Sequence, residues 1–320
     1  MISLPDFREK QLLLIQAQWR DKPKLKFTNE NIVFTKHDEI VNRASCHKVF
    51  AIYVIGDISV TTKLIRETAG YGISLYFLKH NFETYSSCLP QAEGHYYLRS
   101  KQYTMSQDQQ LAIAKNIVRG KLINQQRLLK ETGIEPKSKQ SIHRQVDATR
   151  SFKDLLGVEG SHTRSFFAAY FNPIDWRRRA PRTKEDIPNF LLDIGYNLLF
   201  NFIDALLRMH GFDTYKGCYH RLFFGRKSLA CDIQEPFRCL VDKQLVKAYN
   251  LGQIDESDFS FKNGQYMLSF DKNQKYAQIF MRLLMDNKED IFNYVHEFYR
   301  HVMNPEENPF PEYKVRARNQ

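Results

Sequence analysis

The sequence predicts an α+β protein in which a small β-rich domain, residues 1–95, precedes a larger all-α domain, residues 96–320. The first observation behind this prediction is that β-branched and aromatic runs, separated by turn residues, dominate the chain before residue 90. The second is that apolar residues recur at helical spacing beyond about residue 101. Because strand signals and helix signals occupy separate parts of the chain, we expect a sheet layer followed by packed helices.

Local signals in the first part predict strands and one short helix. Residues 24–28 and 32–35 flank the turn signal Asn29-Glu30-Asn31, which predicts a β-hairpin. Thr61 or Thr62 is the cap of a short helix that ends at Ala69. Further apolar runs predict strands over residues 12–15, 49–55 and 73–78.

The second part is predicted to be helical or loop throughout. Ser106 and Gln109 have the form of a capping box, and an apolar stripe that includes Ala114 and Val118 predicts a helix that ends near Glu131. The tail beyond residue 305 is expected to be mobile and basic. Further helices are expected over residues 141–155, 161–171, 189–209, 281–284 and 291–303.

Composition and missing motifs exclude several classes of protein. No apolar run free of charged residues reaches the ~18–20 residues of a membrane span, and the N-terminus lacks the apolar region of a signal peptide. Five scattered cysteines without a CxxC pair argue against a disulfide framework or a zinc ribbon, and indicate a reducing, cytoplasmic location. The nucleotide-binding, α/β-hydrolase and zinc-protease motifs GxxxxGK[ST], GxGxxG, GxSxG and HExxH are all absent from the chain.

The net charge of +11 is concentrated in two segments. Residues 115–150 carry nine Lys or Arg against three acids, and residues 176–184 carry five Lys or Arg and no acid. Concentrated positive charge is typical of proteins that bind a polyanion such as DNA, because Lys and Arg neutralise phosphates. The alternative is a solvated basic face that serves only solubility.

The segment 217–238 is a candidate metal site. Asp232 and Glu235 are three residues apart in a predicted helix and therefore share one face, and His220 lies upstream in a predicted loop. An imidazole and carboxylates near one point are typical ligands of a divalent metal. The alternative is that both acids are surface charges paired with Arg238 or Lys243.

Pro236 predicts an interruption of this helix, because proline cannot donate the backbone hydrogen bond to the carbonyl of residue 232. At the first turn of a new helix, the same proline would be a common residue and would not indicate a functional site.

Glu159 is a second candidate for the metal site, since it stands between Gly157-Val158 and Gly160, directly before a predicted helix. The flanking glycines allow close approach of a ligand. Alternatively, Glu159 is only a charge that caps the helix dipole.

These residues occur in an order that resembles the CRISPR-associated integrases of the Cas1 family, which insert new spacers into CRISPR arrays. The resemblance covers essentially the whole chain, including the strand and turn pattern of residues 54–60 and 72–73. The motifs that carry it are Glu159-Gly160 with Arg164, Pro181, Asp186-x-x-Asn189, Gly195-Tyr196, Gly211-Phe212, Gly217-x-x-His220, Asp232-x-x-Glu235-Pro236-Phe237-Arg238 and Asp242.

The resemblance implies a set of roles. Glu159, His220 and Glu235 would be the ligands of Mn²⁺ or Mg²⁺ and, with Asp232 as their support, the catalytic residues. The reaction implied is transesterification, in which a DNA 3′-hydroxyl attacks a phosphodiester of the repeat. Backbone contacts with double-stranded DNA would come from Arg164, Arg177, Arg178, Arg179, Arg182 and Lys184.

The family also implies partners. They are a second copy of the chain, bound through the β-rich domain to form a homodimer, and a small Cas2 protein; no association with a membrane is implied.

Three departures from the family pattern are Ser161-His162-Thr163 after Glu-Gly, Phe166 in place of a tyrosine, and Tyr219 in place of an aliphatic residue. Two other functions stay open at this point. One is a metal-dependent nuclease that acts on branched DNA without integration, and the other is a DNA-binding scaffold without catalytic activity.

Overall fold

The computed structural model describes residues 3–90, 95–174, 176, 178–221 and 223–316. Its element order confirms the predicted fold class, since a β-rich part precedes a mostly helical part. The proposed division at residue 95 falls next to residues 91–94, which lie outside the described residues, and the division into two domains stays a prediction. The first part contains α1 (Leu4–Arg8), β1 (Gln11–Ala17), β2 (Lys24–Thr28), β3 (Asn31–Lys36), β4 (Glu39–Ser45), β5 (Val49–Gly56), β6 (Ser59–Val60), α2 (Thr62–Gly70), β7 (Ser74–Leu78) and β8 (Thr84–Cys88).

The second part supplies most of the helices. They are α3 (Tyr96–Thr104), α4 (Gln107–Glu131), α5 (Lys139–Asp147), α6 (Phe152–Tyr170), α7 (Ile187–Met209), α8 (Ser228–Gln234), α9 (Arg238–Asn250), α10 (Asn273–Asp286) and α11 (Lys288–Met303). The capping box at the start of α4 is present as predicted, with reciprocal bonds between Ser106 and Gln109.

Two four-stranded sheets form the β-rich part, in the orders β1-β5-β7-β8 and β4-β3-β2-β6. The predicted hairpin is confirmed, because β2 and β3 pair antiparallel around Asn29 and Glu30, which both have positive φ. All but the last residue of β5 are buried, as its continuous apolar run requires when both faces are covered. Strand β7 is buried at all but one of its residues, and both strands therefore belong to the core.

The sheet that contains β5 and β7 packs directly on the helical part. Tyr53 donates to the carbonyl of Leu198 (3.4 Å), and Tyr76 donates to the carboxylate of Asp204 (2.9 Å), both on α7. One apolar cluster accordingly runs from Phe7 to residues near the C-terminus. The β-rich part and the helices thus share a core, which holds α7 in a fixed position.

Helix α7 is the central element of the helical part. Gly195 lets it approach its neighbours, because a Cβ atom at this position would lie 2.4 Å from Val241 and 2.8 Å from Phe280. By length and composition α7 could cross a membrane, but 83% of its most apolar window is buried inside the protein. It is therefore the core helix of this fold.

The predicted helix boundaries around Glu159 were wrong. Helix α5 ends at Asp147, and α6 begins after Ser151, whose hydroxyl accepts from the amide of Asp154. Glu159 consequently lies in the middle of α6 rather than before its start, and it does not cap a helix. Glycine inside a helix costs only about 1 kcal/mol relative to alanine, and the buried face of α6 outweighs that cost.

Two features near the C-terminus also differ from the expectations. A hairpin of β9 (Phe259–Lys262) and β10 (Gln265–Leu268) interrupts the helices, with Asn263-Gly264 as its turn. The tail is packed as far as Arg316, with Tyr313 and Val315 buried, so its predicted mobility was wrong there. The ring of Tyr313 lies 4.3 Å from that of Phe237, and this apolar contact offsets the entropy of ordering the tail.

A buried histidine on the C-terminal side of α7 predicts acid sensitivity. Burial lowers the pKa of His210 to about 4, and its Nε2 atom has no hydrogen-bond partner among the described residues. The folded state therefore favours the neutral imidazole of His210. Above about pH 6.5 this residue does not lower the free energy of unfolding, and as the pH falls towards 4 it does, because the unfolded chain binds the proton more readily. Between pH 7.5 and 5 the free energy of unfolding should fall by about 2 kcal/mol through this residue.

Urea unfolding at the two pH values measures this effect. His210→Gln should flatten the dependence on pH, and the exposed His47→Gln should leave it unchanged. Equal losses of stability in the wild type and in the His210 variant would contradict the assignment.

Candidate active site

Two glutamates from different elements converge on one lysine. Glu159 of α6 and Glu235, which follows α8, approach Lys121 of α4 at 2.5 Å and 2.6 Å between the ammonium nitrogen and a carboxylate oxygen. All three residues are at least nine-tenths buried. Two buried carboxylates at such proximity need a cation between them, and here Lys121 supplies it.

The electrostatics of this cluster keep Glu235 and Lys121 charged. Burial alone would raise the pKa of Glu235, but the charges of Lys121, Arg238 and His220 lower it to about 2. Burial would lower the pKa of Lys121, yet the charges of Glu235 and Glu159 raise it. Glu235 therefore carries negative charge at neutral pH, as a carboxylate ligand of a cation must.

The other oxygen of each carboxylate has its own partner. The hydroxyl of Tyr219 donates to Oε2 of Glu159, and burial followed by the charge of Glu159 raises the pKa of this tyrosine. Arg238 approaches Oε1 of Glu235 at 3.4 Å. These contacts hold both side chains in place and leave Glu159 Oε1 and Glu235 Oε2 directed at the shared point.

Asp232 organises the loop that carries His220. Its carboxylate accepts from the backbone amides of Cys218 (2.6 Å), Tyr219 (2.9 Å) and His220 (2.8 Å), and it also contacts Nδ1 of His220 at 2.7 Å. Gly217 is required for this approach, since a Cβ atom there would lie 2.8 Å from Oδ2 of Asp232. Asp232 thus holds this loop and its histidine in place, in a geometry typical of residues that orient a histidine ligand, and its role in catalysis stays a prediction.

His220 lies near the glutamates, but the three side chains do not form one cluster close enough to hold a metal ion. Burial lowers its pKa, but the hydrogen bond and charge of Asp232, with the charge of Glu235, more than compensate and raise it. Across the described part of the chain, no group of three or more His, Cys, Asp or Glu is close enough to hold a metal ion. Of the three predicted ligands, the structure therefore brings Glu159 and Glu235 to one point and leaves His220 beside them.

The donor set nevertheless fits a hard divalent cation. Two carboxylate oxygens converge on a point that already holds a positive charge, and Oε2 of Glu235 has no hydrogen bond of proper geometry among the described residues. Carboxylate oxygens with an imidazole nearby are the ligands that Mg²⁺ and Mn²⁺ accept. The assignment of the three ligands stays a prediction.

Pro236 interrupts the helix as predicted. Helix α8 ends at Gln234, residues Glu235–Phe237 form a 3₁₀ turn, and α9 begins at Arg238. The side-chain amide of Asn124 donates through Nδ2 to the carbonyl of Pro236 at 3.1 Å and to the carbonyl of Tyr313 at 3.0 Å. The turn that carries Glu235 is therefore tied both to α4 and to the C-terminal segment.

A cavity of about 270 Å³ opens beside the glutamates. One wall is Tyr196, whose ring lies 4.0 Å from the guanidinium carbon of Arg238 and 5.3 Å from that of Arg179. Burial raises the pKa of Asp242, which accepts from the hydroxyl of Tyr196, to about 6. The lining residues are Lys121, Gln125, Glu159, Thr163, Phe167, Arg179, Tyr196, Glu235, Arg238, Cys239 and Asp242.

The family model for CRISPR associated protein Cas1 matches residues 19–282. The chain belongs to the Cas1 family. A CRISPR-associated endonuclease Cas1 from Thermodesulfovibrio yellowstonii is 29% identical over 238 residues, which cover 68% of this chain and 74% of that protein.

Two solved structures have the same fold at low sequence identity. A casposase bound to its integration product is similar with a TM-score of 0.82 and 20% identity, over 97% of this chain and 96% of that chain. A Cas6-RT-Cas1–Cas2 complex is similar with a TM-score of 0.78 and 22% identity, over 98% of this chain and 36% of that chain. The Cas1 fold of this protein therefore extends over nearly its whole length.

The departures from the Cas1 pattern have distinct structural roles. Phe166 is fully buried and stacks on Tyr170, with ring centroids 5.1 Å apart, so it is a packing residue. Tyr219, by contrast, contacts the predicted ligand Glu159 through its hydroxyl. His162 is buried and contacts Gln145 at 2.8 Å.

The arginines predicted to bind DNA fall into two groups. Arg164, Arg178 and Arg182 are exposed, and Arg178 makes two contacts with Glu185 at 3.0 Å and 3.1 Å. Arg179 points inward, where it pairs with Asp193 at 2.5 Å, while Lys184 is half-buried against Phe190. Arg177 lies outside the described residues.

The sequence contains a signal that Lys121 is buried, besides its place in the basic segment 115–150. Lys121 lies three residues after Val118 and seven after Ala114, and it therefore falls on the buried face of α4. A charged residue on such a face needs a buried partner. Tyr219 carried no comparable signal, because its contact with Glu159 joins residues 60 positions apart.

Proposed function

We propose that this Cas1 protein joins the 3′-hydroxyl ends of spacer DNA to the repeat by metal-dependent transesterification. The observation that carries the proposal is the convergence of Glu159 and Glu235 on one buried cation position beside the Asp232–His220 pair. Membership of the Cas1 family and the similarity to a casposase bound to its integration product support the same reaction class.

In this proposal Glu159, Glu235 and His220 hold Mg²⁺ or Mn²⁺. When bound, the ion polarises a phosphoryl oxygen and stabilises charge that develops in the transition state. The carboxylate of Asp232 is hydrogen-bonded to Nδ1 of His220, so Nε2 is the ring nitrogen that stays available to the ion or to a proton. Arg238 and Tyr219 keep the two carboxylates aligned through their outer oxygens.

The reaction conserves the number of phosphodiester bonds. The oxygen of the attacking 3′-hydroxyl forms a bond to phosphorus, and the bond from that phosphorus to the repeat's own 3′ oxygen breaks. The attacking hydroxyl gives up one proton and the released 3′ oxygen gains one. No oxidant, nucleotide cofactor or external energy source is needed for this exchange.

The proposed partners of this protein are those that the Cas1 family implies. We assign non-specific contacts with the DNA backbone to the exposed Arg164, Arg178 and Arg182, with Arg177, Arg179 and Lys184 as further members of that basic segment. A homodimer, a small Cas2 partner and a cytoplasmic location complete the proposal. A solved complex with a similar chain contains Cas2.

One assay separates joining from cleavage. The protein, Mn²⁺, a short labelled duplex and a supercoiled plasmid with a repeat are incubated together, with a 3′-dideoxy duplex as the matched control. We expect label in the plasmid with the 3′-hydroxyl duplex and none with the dideoxy duplex. Nicks without joining would identify a nuclease, and DNA binding with neither product would identify a scaffold.

The basic surface gives a second prediction. Replacing Arg178 and Arg182 together by alanine should weaken binding to duplex DNA of any sequence, because both side chains are exposed. If each side chain neutralises one phosphate, the slope of log K against log salt should fall by about 2. Fluorescence anisotropy between 50 and 200 mM salt, roughly the range in which such effects are large, measures it.

The matched control is Lys24→Ala with Lys48→Ala, which removes the same charge from exposed positions of the β-rich part. An unchanged salt slope in the arginine variant, or an equal change in the control, would show that residues 178–182 do not contact the phosphates.

A further inference from the structure

Lys121 occupies the point at which a metal ion would have to bind. Its ammonium nitrogen lies 2.5 Å from Glu159 Oε1 and 2.6 Å from Glu235 Oε2, and these are the two oxygens that face each other. The remaining oxygens are held by Tyr219 and Arg238. No third carboxylate contacts this lysine among the described residues.

A divalent ion and this ammonium group cannot share the position. Metal–oxygen distances of roughly 2.0–2.2 Å would place the ion within contact distance of the nitrogen, and three positive charges would then face two carboxylates. The repulsion is strong in a buried site, where solvent screens charges poorly. Lysine is flexible, and the adjoining cavity of about 270 Å³, which Lys121 itself lines, provides room for its side chain.

We infer that Lys121 competes with the divalent ion for the Glu159 and Glu235 carboxylates, so that metal binding requires the displacement of its side chain from between them. The inference rests on the proposed metal-dependent function. In this arrangement Lys121 stabilises the metal-free protein and sets a low metal affinity, since only the fraction of molecules with the lysine displaced can bind. Lys121 is thus a residue that regulates occupancy of the site.

The first test compares Mn²⁺ binding by calorimetry in the wild type, Lys121→Met and Lys121→Arg. Methionine keeps the length of the side chain and removes the charge, so its Kd for Mn²⁺ should fall by about tenfold or more. Arginine keeps the competing charge and should remain close to the wild type. The melting temperature of Lys121→Met without metal should drop, and Mn²⁺ should raise it by more than in the wild type.

The second test uses the wild-type protein and does not depend on the folding of a variant. Amine acetylation followed by mass spectrometry should modify Lys121 slowly without metal and several-fold faster with Mn²⁺. Lys243 is the internal control, because it pairs with Glu131 at 2.8 Å outside the cavity and should react equally with and without metal. Glu235→Gln, tested under the same conditions, should show no metal-dependent change at Lys121.

The outcomes separate the inference from the proposed function. Tighter Mn²⁺ binding in Lys121→Met, with faster acetylation of Lys121 in the wild type, supports competition. Stoichiometric binding that is equal or weaker in Lys121→Met overturns it and leaves the metal centre intact. If neither protein binds Mn²⁺, the proposed metal centre is wrong and the inference falls with it.

Discussion

Replacing Glu235 by glutamine is expected to reduce the rate of DNA joining by about 10³-fold or more. The change removes one of the two charges that converge on the cation position, and a loss of about 4 kcal/mol of transition-state stabilisation corresponds to that factor. Glutamine keeps the shape of the side chain, and Lys121 keeps Glu159 as a partner. The loss of stability should therefore stay below about 3 kcal/mol, at the low end for a broken buried ion pair.

The matched control is Glu131→Gln. Glu131 pairs with Lys243 at 2.8 Å and is partly buried, but it lies outside the cavity. Joining is measured with the labelled duplex and the repeat plasmid, and folding by circular dichroism and urea unfolding. A Glu235→Gln variant that joins DNA at more than one tenth of the wild-type rate would remove this residue from the proposed site.

Asp232→Ala is expected to have the largest effect on stability. Its carboxylate is fully buried and accepts from three consecutive backbone amides and from His220, so alanine leaves those donors without an acceptor. Each unsatisfied buried donor costs about 1–3 kcal/mol, and we expect a total loss of about 3–5 kcal/mol. Asparagine should not restore full stability, because its NH₂ group meets the two backbone N–H groups of Cys218 and Tyr219 in one orientation and that of His220 in the other.

Urea unfolding measures this loss, and Asp154→Ala is the control. Asp154 is exposed and its carboxylate accepts from Arg150 and Ser151 next to solvent, so its replacement should cost less than about 1 kcal/mol. Metal binding supplies a second measurement, since a loosened His220 should weaken Mn²⁺ affinity even where the variant is still folded. Equal stability of the Asp232 and Asp154 variants would show that Asp232 does not organise this loop.

Local patterns in the sequence predicted most of the elements. Ser106 and Gln109 marked the start of α4, Thr61 marked the start of α2, and the turn around Asn29 marked the first hairpin. These signals are short-range, since a cap or a turn is satisfied by residues three or four positions away. For the same reason Pro236 predicted the break between α8 and α9.

The site was only partly predictable. Glu159, Asp232, His220 and Glu235 were singled out by their types, their spacing and the family resemblance, and the structure brings the two glutamates to one point. Lys121 belongs to the basic segment 115–150, but in the structure it lies between the two glutamates. Its role depends on how α4 packs against α6, which a pattern within one helix does not specify.

The failures share a physical cause. Residues 156–160 were expected to separate two helices, but burial of one face of α6 outweighs the weak helix propensity of Gly157 and Gly160. The tail was expected to be mobile, but Tyr313 gains contacts with Phe237 and Asn124, which are remote in sequence. Local composition is thus a poor guide wherever long-range packing outweighs a difference of about 1 kcal/mol.

The chain's own residue pattern was sufficient for the α+β fold class, the helix caps and turns, and the candidate acidic and imidazole groups. Only the packed structure decided which charges are neighbours, because side chains on α4, α6 and the Glu235 turn meet through contacts between distant parts of the chain. Interaction energies between charges depend on separation and burial rather than on position in the sequence. The same lysine that looked like a surface charge is therefore the counter-ion at the centre of the candidate site.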